Sequence, residues 1–182
     1  GLALAALGAG DAVRPYPLGA TVKAVPLLRG LANFGRVMSQ VGAFPRQQKT
    51  SVAEALQQFA RADLPTGIAL VFSDGLDPEL PAALRAVASR GHEPWLLSVL
   101  APVEIEPDLE GELRLVDAES GEAVEITANR VVVEEYLDNL DRHLKALRDA
   151  CLRGGGRFAH VRSDESVESV VHRALRKEGW VA

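Results

Sequence analysis

Apolar positions recur along this chain in two rhythms that take turns. Gly67-Ile-Ala-Leu-Val-Phe72, Pro94 to Leu100 and Arg157 to Val161 are short, mostly apolar runs, the pattern of strands covered on both faces. Between and after them lie segments with the helical period, at 78 to 90, Val131 to Leu152 and Glu165 to Lys177. The long one carries Val133, Leu137, Leu140, Leu144, Leu147 and Cys151 at spacings of three and four, and Gly154-Gly155-Gly156 stops it. Strand and helix in alternation predict an α/β fold with a mostly parallel sheet covered on both faces.

The first third is less regular. Leu2-Ala-Leu-Ala-Ala-Leu7 reads as the last turns of a helix ended by Gly8 and Gly10, so the chain reads as a fragment that begins inside an element. Extended stretches follow at Ala12 to Leu18, where Pro15 and Pro17 favour a sheet edge, and at Thr21 to Val25. A helix over Leu31 to Val41 would turn Phe34, Val37, Met38 and Val41 to one side. After the loop Gly42 to Lys49, a helix over Ser51 to Arg61 would bury Val52, Ala55, Leu56 and Phe59.

Residues 103–129 break the rhythm. Glu112-Leu-Arg-Leu-Val-Asp117 and Glu122-Ala-Val-Glu-Ile-Thr127 alternate polar with apolar around the turn Ala118-Glu-Ser-Gly121, which predicts a β-hairpin inserted in a crossover. Such a hairpin either covers a sheet edge or offers a surface to a partner, and covering is the commoner need.

Composition changes this picture little. With 182 residues, 47% hydrophobic and 25% charged, the chain is the size of one domain with a substantial core, residues 1–182. A net charge of −5 without a basic cluster argues against nucleic acid, and no apolar run is long enough for a bilayer span. The single cysteine, Cys151, excludes an intrachain disulfide, and no secretory signal is visible. A cytoplasmic setting is the expectation, with no membrane contact from this segment.

Candidate chemistry centres on Ser73-Asp74-Gly75. In an open α/β sheet, ligands gather beyond the carboxyl ends of the strands, and Asp74 is a carboxylate placed there. It also reads as a turn residue before Gly75, and Thr50 reads as a helix N-cap with Ser51 as the alternative cap. Gly8-Ala-Gly10 follows a helix and lacks a third glycine, so it is no dinucleotide fingerprint. His92, His143, His160 and His172 never pair at i and i+4, and each reads as a surface or partly packed histidine. Cys151 reads as a small buried hydrophobe, and Asp164-Glu165-Ser166 as a helix cap rather than a metal motif. Asp117-Ala-Glu119 lacks the later oxygens of a calcium loop, and Glu134, Glu135 and Asp138 favour the start of the long helix. No nucleophile, base and orienter stand out.

The stretch Pro102-Val-Glu-Ile-Glu-Pro-Asp-Leu-Glu-Gly-Glu-Leu-Arg-Leu-Val-Asp-Ala-Glu-Ser-Gly-Glu122, the helix with Tyr136 and the ending Leu175-Arg-Lys-Glu-Gly-Trp180 resemble the bacterial family DUF58, with Leu7-Gly-Ala-Gly-Asp-Ala-Val13 as a weaker early phrase. The C-terminal half of these proteins resembles a von Willebrand factor type A domain. The resemblance implies a doubly wound sheet whose first central strand is missing from this chain, and a metal-ion-dependent adhesion site at the strand ends. An Asp-x-Ser-x-Ser motif, which would lie upstream of Gly1, a Thr and an Asp would hold one cation. Thr50 corresponds to that Thr and Asp74 to that Asp.

These oxygen donors suit Mg²⁺, but two of them do not repay its dehydration, and the ammonium of Lys49 opposes a cation. The implied function is a non-catalytic protein-interaction module, acting with a MoxR-type AAA+ ATPase in assembly or maturation of protein complexes. The competing reading is a hydrolytic or small-molecule-binding enzyme that uses the crevice around Asp74, for which a deep pocket would be the sign.

Overall fold

A computed structural model describes residues 1–16, 26–44, 51–108, 111–116 and 123–180. Its centre is a parallel sheet of three strands, β3 (Ile68–Ser73), β4 (Glu93–Leu100) and β7 (Arg157–Arg162), in the order β3-β4-β7. Ile68 opposes Glu93 and Trp95 opposes Arg157, so the carboxyl ends of all three strands lie at one end of the sheet.

Three helices cover one face: α3 (Val52–Arg61), α4 (Leu80–Ser89) and α6 (Arg130–Arg153). Ala69, Val71, Leu96 and Phe158 point to them and pack with Leu56, Leu84, Val87, Leu147 and Cys151. Among the described residues the opposite face is covered over β4 and β7 only. There Leu97, Ala159 and Val161 meet Leu2 of α1 (Leu2–Gly8), together with Val170, Val171 and Leu175 of the C-terminal helical segment and Trp180. On β3 the same face is bare: Ile68 and Phe72 are each 56% exposed, and Leu70 is exposed as well. Among the described residues β3 pairs with β4 alone. A parallel strand is ordinarily buried on both faces, so this bare stripe is the main departure from the expected layering.

The expected elements form with small shifts of their ends. Of the stretch Ala12 to Leu18, whose residues 17 and 18 lie outside the described ones, Ala12–Val13 form β1, which pairs antiparallel with β2 (Leu28–Arg29) in a separate sheet. Thr21 to Val25 lies outside the described residues. The helix expected from Leu31 begins as a 3₁₀ turn, Leu31–Asn33, before α2 (Phe34–Gly42). Val37 is buried and Phe34 packs beside it, but Met38 and Val41 are exposed, contrary to the periodicity. The C-terminal helix starts as α7 (Val167–Ser169), widens to a π-helical turn, Val170–Leu175, and is α-helical again at Arg176 and Lys177. That widening puts Val170, Val171 and Leu175 together on the sheet.

The inserted hairpin is present as β5 (Gly111–Val116) and β6 (Ala123–Ala128), preceded by the single turn α5 (Pro102–Ile105). No ladder joins it to β3 or β7, so the expectation that it covers a sheet edge is not met among the described residues.

Cys151 is fully buried against Leu96, and burial pushes its thiol up to about 12. In the folded chain it is therefore expected to ignore a thiol reagent at pH 8 and to react once urea unfolds it. Because the folded value is raised, its stabilising contribution is complete below the unfolded value near 9.0 and is lost as pH climbs toward about 12. Rapid labelling of the native chain at pH 8 would contradict this.

Candidate functional site

β3 ends at Ser73, and the chain turns out of the sheet through Asp74 and Gly75, the latter at φ +82°. The turn is held by its own polar groups. Ser73 Oγ donates to Asp74 Oδ1 at 3.1 Å and accepts from Gly75 N–H at 3.1 Å, while Leu76 N–H donates to the same Asp74 oxygen at 3.2 Å. Two groups from other elements fix the backbone beneath. Ser98 of β4, wholly buried, donates to the Asp74 carbonyl at 2.9 Å, and His143 of α6 donates from Nε2 to the Gly75 carbonyl at 2.6 Å. Asp74 itself is exposed at the carboxyl end of the sheet.

Thr50 lies outside the described residues, so its distance from Asp74 is not part of this geometry. The helix that follows it is placed, however. Ser51 is the N-cap of α3, accepting from Glu54 N–H at 3.1 Å, so the alternative cap is the one observed. Asp77 then ties that helix to the strand-end loop: its Oδ2 accepts from Ala53 N–H at 3.1 Å and its Oδ1 from Glu79 N–H at 2.9 Å. One carboxylate thus serves the first turn of α3 and the turn into α4, and the start of α3 sits beside the loop that carries Asp74.

Asp77, Ser98 and His143 do not stand out in the sequence, although each leaves a trace there. Asp77 precedes Pro78, a helix-entry signal; Ser98 is the polar interruption in an apolar strand; His143 lies three residues after Leu140 and four before Leu147, on the inward stripe of α6. The other histidines behave differently. His92 is buried against the Phe59 ring, 5.0 Å away between centroids. His160 stands opposite Ser98 in register; burial lowers its pKa, and the Glu165 carboxylate pulls the other way.

Further along the same end, Arg162 at the close of β7 bridges Asp164 at 2.9 Å and Glu106 at 3.4 Å. The hydrogen bonds from Arg162 hold Asp164 below the usual carboxylate range, and Asp164 in turn raises Arg162. Ser166 caps α7, accepting from Ser169 N–H at 3.2 Å, which bears out the capping role read for that segment.

As a metal site the arrangement is incomplete. Asp74 offers one carboxylate, with one oxygen already taken by the turn, and among the described residues no group of three His, Cys, Asp or Glu side chains converges on a common point. A lone carboxylate does not hold Mg²⁺. Two surface depressions of the molecule lie elsewhere, one between α4 and α6 at Arg85, Ser89 and Arg153, the other between α3 and α4 at Gln57, Arg61 and Arg90. Among the described residues no helix is long and apolar enough to cross a membrane.

Comparison with known proteins gives a consistent family and fold. The family profile described as "Protein of unknown function DUF58" matches residues 2–146. Among solved structures, the chain is similar to an aerotolerance-related membrane protein from Bacteroides fragilis NCTC 9343 carrying multiple mutations to serines, at 16% identity and a TM-score of 0.52 over 96% of this chain and 83% of that one. It is also similar to the conserved hypothetical protein BatB from Bacteroides thetaiotaomicron, at 17% identity and a TM-score of 0.51 over 99% of this chain and 86% of that one. At these identities the likeness carries the fold alone. No curated protein matches significantly.

Proposed function

The chain belongs to the family Protein of unknown function DUF58, and from that premise we propose that it is a non-catalytic protein-interaction module of the von Willebrand factor A-like kind, working from the carboxyl ends of its strands. One observation carries the reading. Ser73, Ser98 and His143 are each committed to holding the Asp74 turn. What is built there is a rigid, exposed presentation of a carboxylate, which suits docking more than turnover.

The bare outer edge and face of β3 support the same arrangement. In the von Willebrand factor A-like order a further strand would lie along that edge, and Ile68, Leu70 and Phe72 are the apolar surface such a neighbourhood would cover. Mg²⁺ enters only as a secondary part of the proposal: Asp74 and Thr50 would be two of its ligands, and no step is assigned to it because the described donors do not complete a shell. A MoxR-type AAA+ ATPase is the proposed partner, in assembly or maturation of protein complexes, and a cytoplasmic setting goes with it.

Two measurements test this. Calorimetric titration of the 182-residue chain with Mg²⁺ is expected to show no saturable binding below about 1 mM, as expected when few charged ligands face a strongly hydrated ion. Sub-millimolar binding abolished by Asp74→Ala would show instead that the site is complete. Sedimentation with an ATP-loaded MoxR-type ATPase is expected to give a complex that Asp74→Ala weakens. Absence of a complex at tens of micromolar, a binding energy weaker than about 6 kcal/mol, would sink the proposed partnership.

A further inference from the structure

The hairpin inserted after the carboxyl end of β4 has a charge unlike that of the rest of the chain. Residues 102–129 hold nine Asp and Glu side chains against a single Arg, a net −8 in a chain whose total is −5, so everything outside this segment carries a net +3. Glu106, Asp108, Glu112 and Glu125 are exposed on it.

Among the described residues the two hairpin strands have no third strand beside them. β5 and β6 pair with each other over six residues each, and an isolated two-stranded ribbon is marginal in water without something to pack on. α6 overhangs with it. Its 24 residues span about 36 Å, whereas the eight of β4 span about 26 Å, and its first buried residue is Leu140. The overhang leaves apolar side chains in solvent beside the acids: Val124 is 60% exposed, Val131 70% and Val103 55%. The base is nevertheless braced. The Tyr136 hydroxyl donates to the Glu104 carbonyl at 3.0 Å, Asn129 caps α6 by accepting from Val132 N–H at 3.0 Å, and Arg162 holds Glu106. Burial, with the Glu104 charge second, raises the Tyr136 pKa.

We propose that the inserted hairpin and the exposed first turns of α6, with valines set among carboxylates, form a docking surface for a basic protein face that has an apolar centre. The assignment rests on the interaction-module reading and names the chemistry of its partner. A nucleic-acid backbone or an anionic bilayer is repelled by the same charge. A Lys- and Arg-rimmed apolar patch gains attraction at a distance and buries Val124 and Val131 on contact.

The test uses a defined probe, an amphipathic helical peptide of Lys and Leu, and its Glu and Leu counterpart, each titrated into the isotope-labelled chain while amide shifts are followed. The basic peptide is expected to shift residues 102–129 and the first turns of α6, to bind at least tenfold more weakly when salt is raised from about 50 to about 300 mM, and the acidic one to do nothing. D108K/E112K/E125K is expected to weaken binding at least tenfold, whereas D63K/E93K/D149K, with the same change in net charge, leaves it within threefold. V124S/V131S, which changes no charge, is expected to weaken it at least fivefold.

Equal losses from the two charge-reversal sets, or no loss from the valine changes, would reduce the effect to general charge attraction and overturn the assignment. Shifts confined to Ser73 through Asp77 would overturn it too while leaving the interaction-module reading intact. Absence of shifts with either peptide also overturns the assignment, and the ATPase sedimentation then decides the module reading separately.

Discussion

Gly156→Ala is expected to cost about 3 kcal/mol or more, read as a fall in Tm of roughly 6 to 12 °C for a domain of this size. A Cβ at Gly156 would lie 1.9 Å from the Pro94 carbonyl oxygen and 2.6 Å from its carbon. These are backbone atoms of β4, the central strand, and they cannot rotate aside as a side chain would. The next residue, Arg157, is already paired with Trp95, so relief would require β7 to part from β4 where their ladder starts. Gly155, one residue earlier, is the control: it sits at φ +72° and a Cβ there would have nothing within 4 Å, so alanine meets only backbone strain, about 1 kcal/mol. Urea or thermal unfolding of both variants checks the ranking. A Gly156→Ala chain within about 1 kcal/mol of its parent would mean that β4 and β7 are not this close.

That triple glycine also shows what is legible in the sequence. It marks the end of α6 because three glycines cannot continue a helix, but the reason for Gly156 is a contact with Pro94, more than sixty residues away, which no local pattern encodes. The parallel sheet is readable for a similar reason in reverse: buried strands such as Leu96 to Leu100 and amphipathic helices such as α6 carry their own periodicity. Met38 and Val41 mislead because periodicity reports which face is apolar, not whether a neighbour stands ready to cover it. The bare stripe on β3 is the same lesson in a strand. Ile68, Leu70 and Phe72 have the pattern of a doubly covered strand, yet among the described residues only one face is covered.

At the candidate site, Asp74 is legible because a carboxylate after an apolar strand is conspicuous. Its supports are not. Ser98 and His143 act by donating to backbone carbonyls of Asp74 and Gly75, across 24 and 68 residues of chain, and only the fold reveals such partners. Asp77 is hidden by its ordinariness, since an acid before a proline is a common helix-entry signal and its bond to Ala53 of α3 is long-range.

The core and the Asp74 turn are mechanically joined through one side chain, and Leu147→Ala is expected to expose the link. Leu147 is wholly buried among Leu84, Leu96 and Cys151, so truncation should cost about 3 kcal/mol through lost transfer energy and the cavity left behind. It also lies directly beneath the turn: a Cβ at Gly75 would sit 3.1 Å from Leu147 Cδ1, and His143, one helical turn earlier, donates to the Gly75 carbonyl. Leu84→Ala, equally buried in the same cluster but on α4, separates global from local effects. Both variants are expected to lose similar stability. Only Leu147→Ala is expected to let the Gly75 and Leu76 amides exchange ahead of those of β4, because the cavity removes the floor of the turn while the sheet stays paired. Hydrogen exchange in step with β4 for both variants would show that the turn is held by its own hydrogen bonds alone. The advance expected for Leu147→Ala would instead make α6, through Leu147 and His143, the element that fixes how Asp74 is presented.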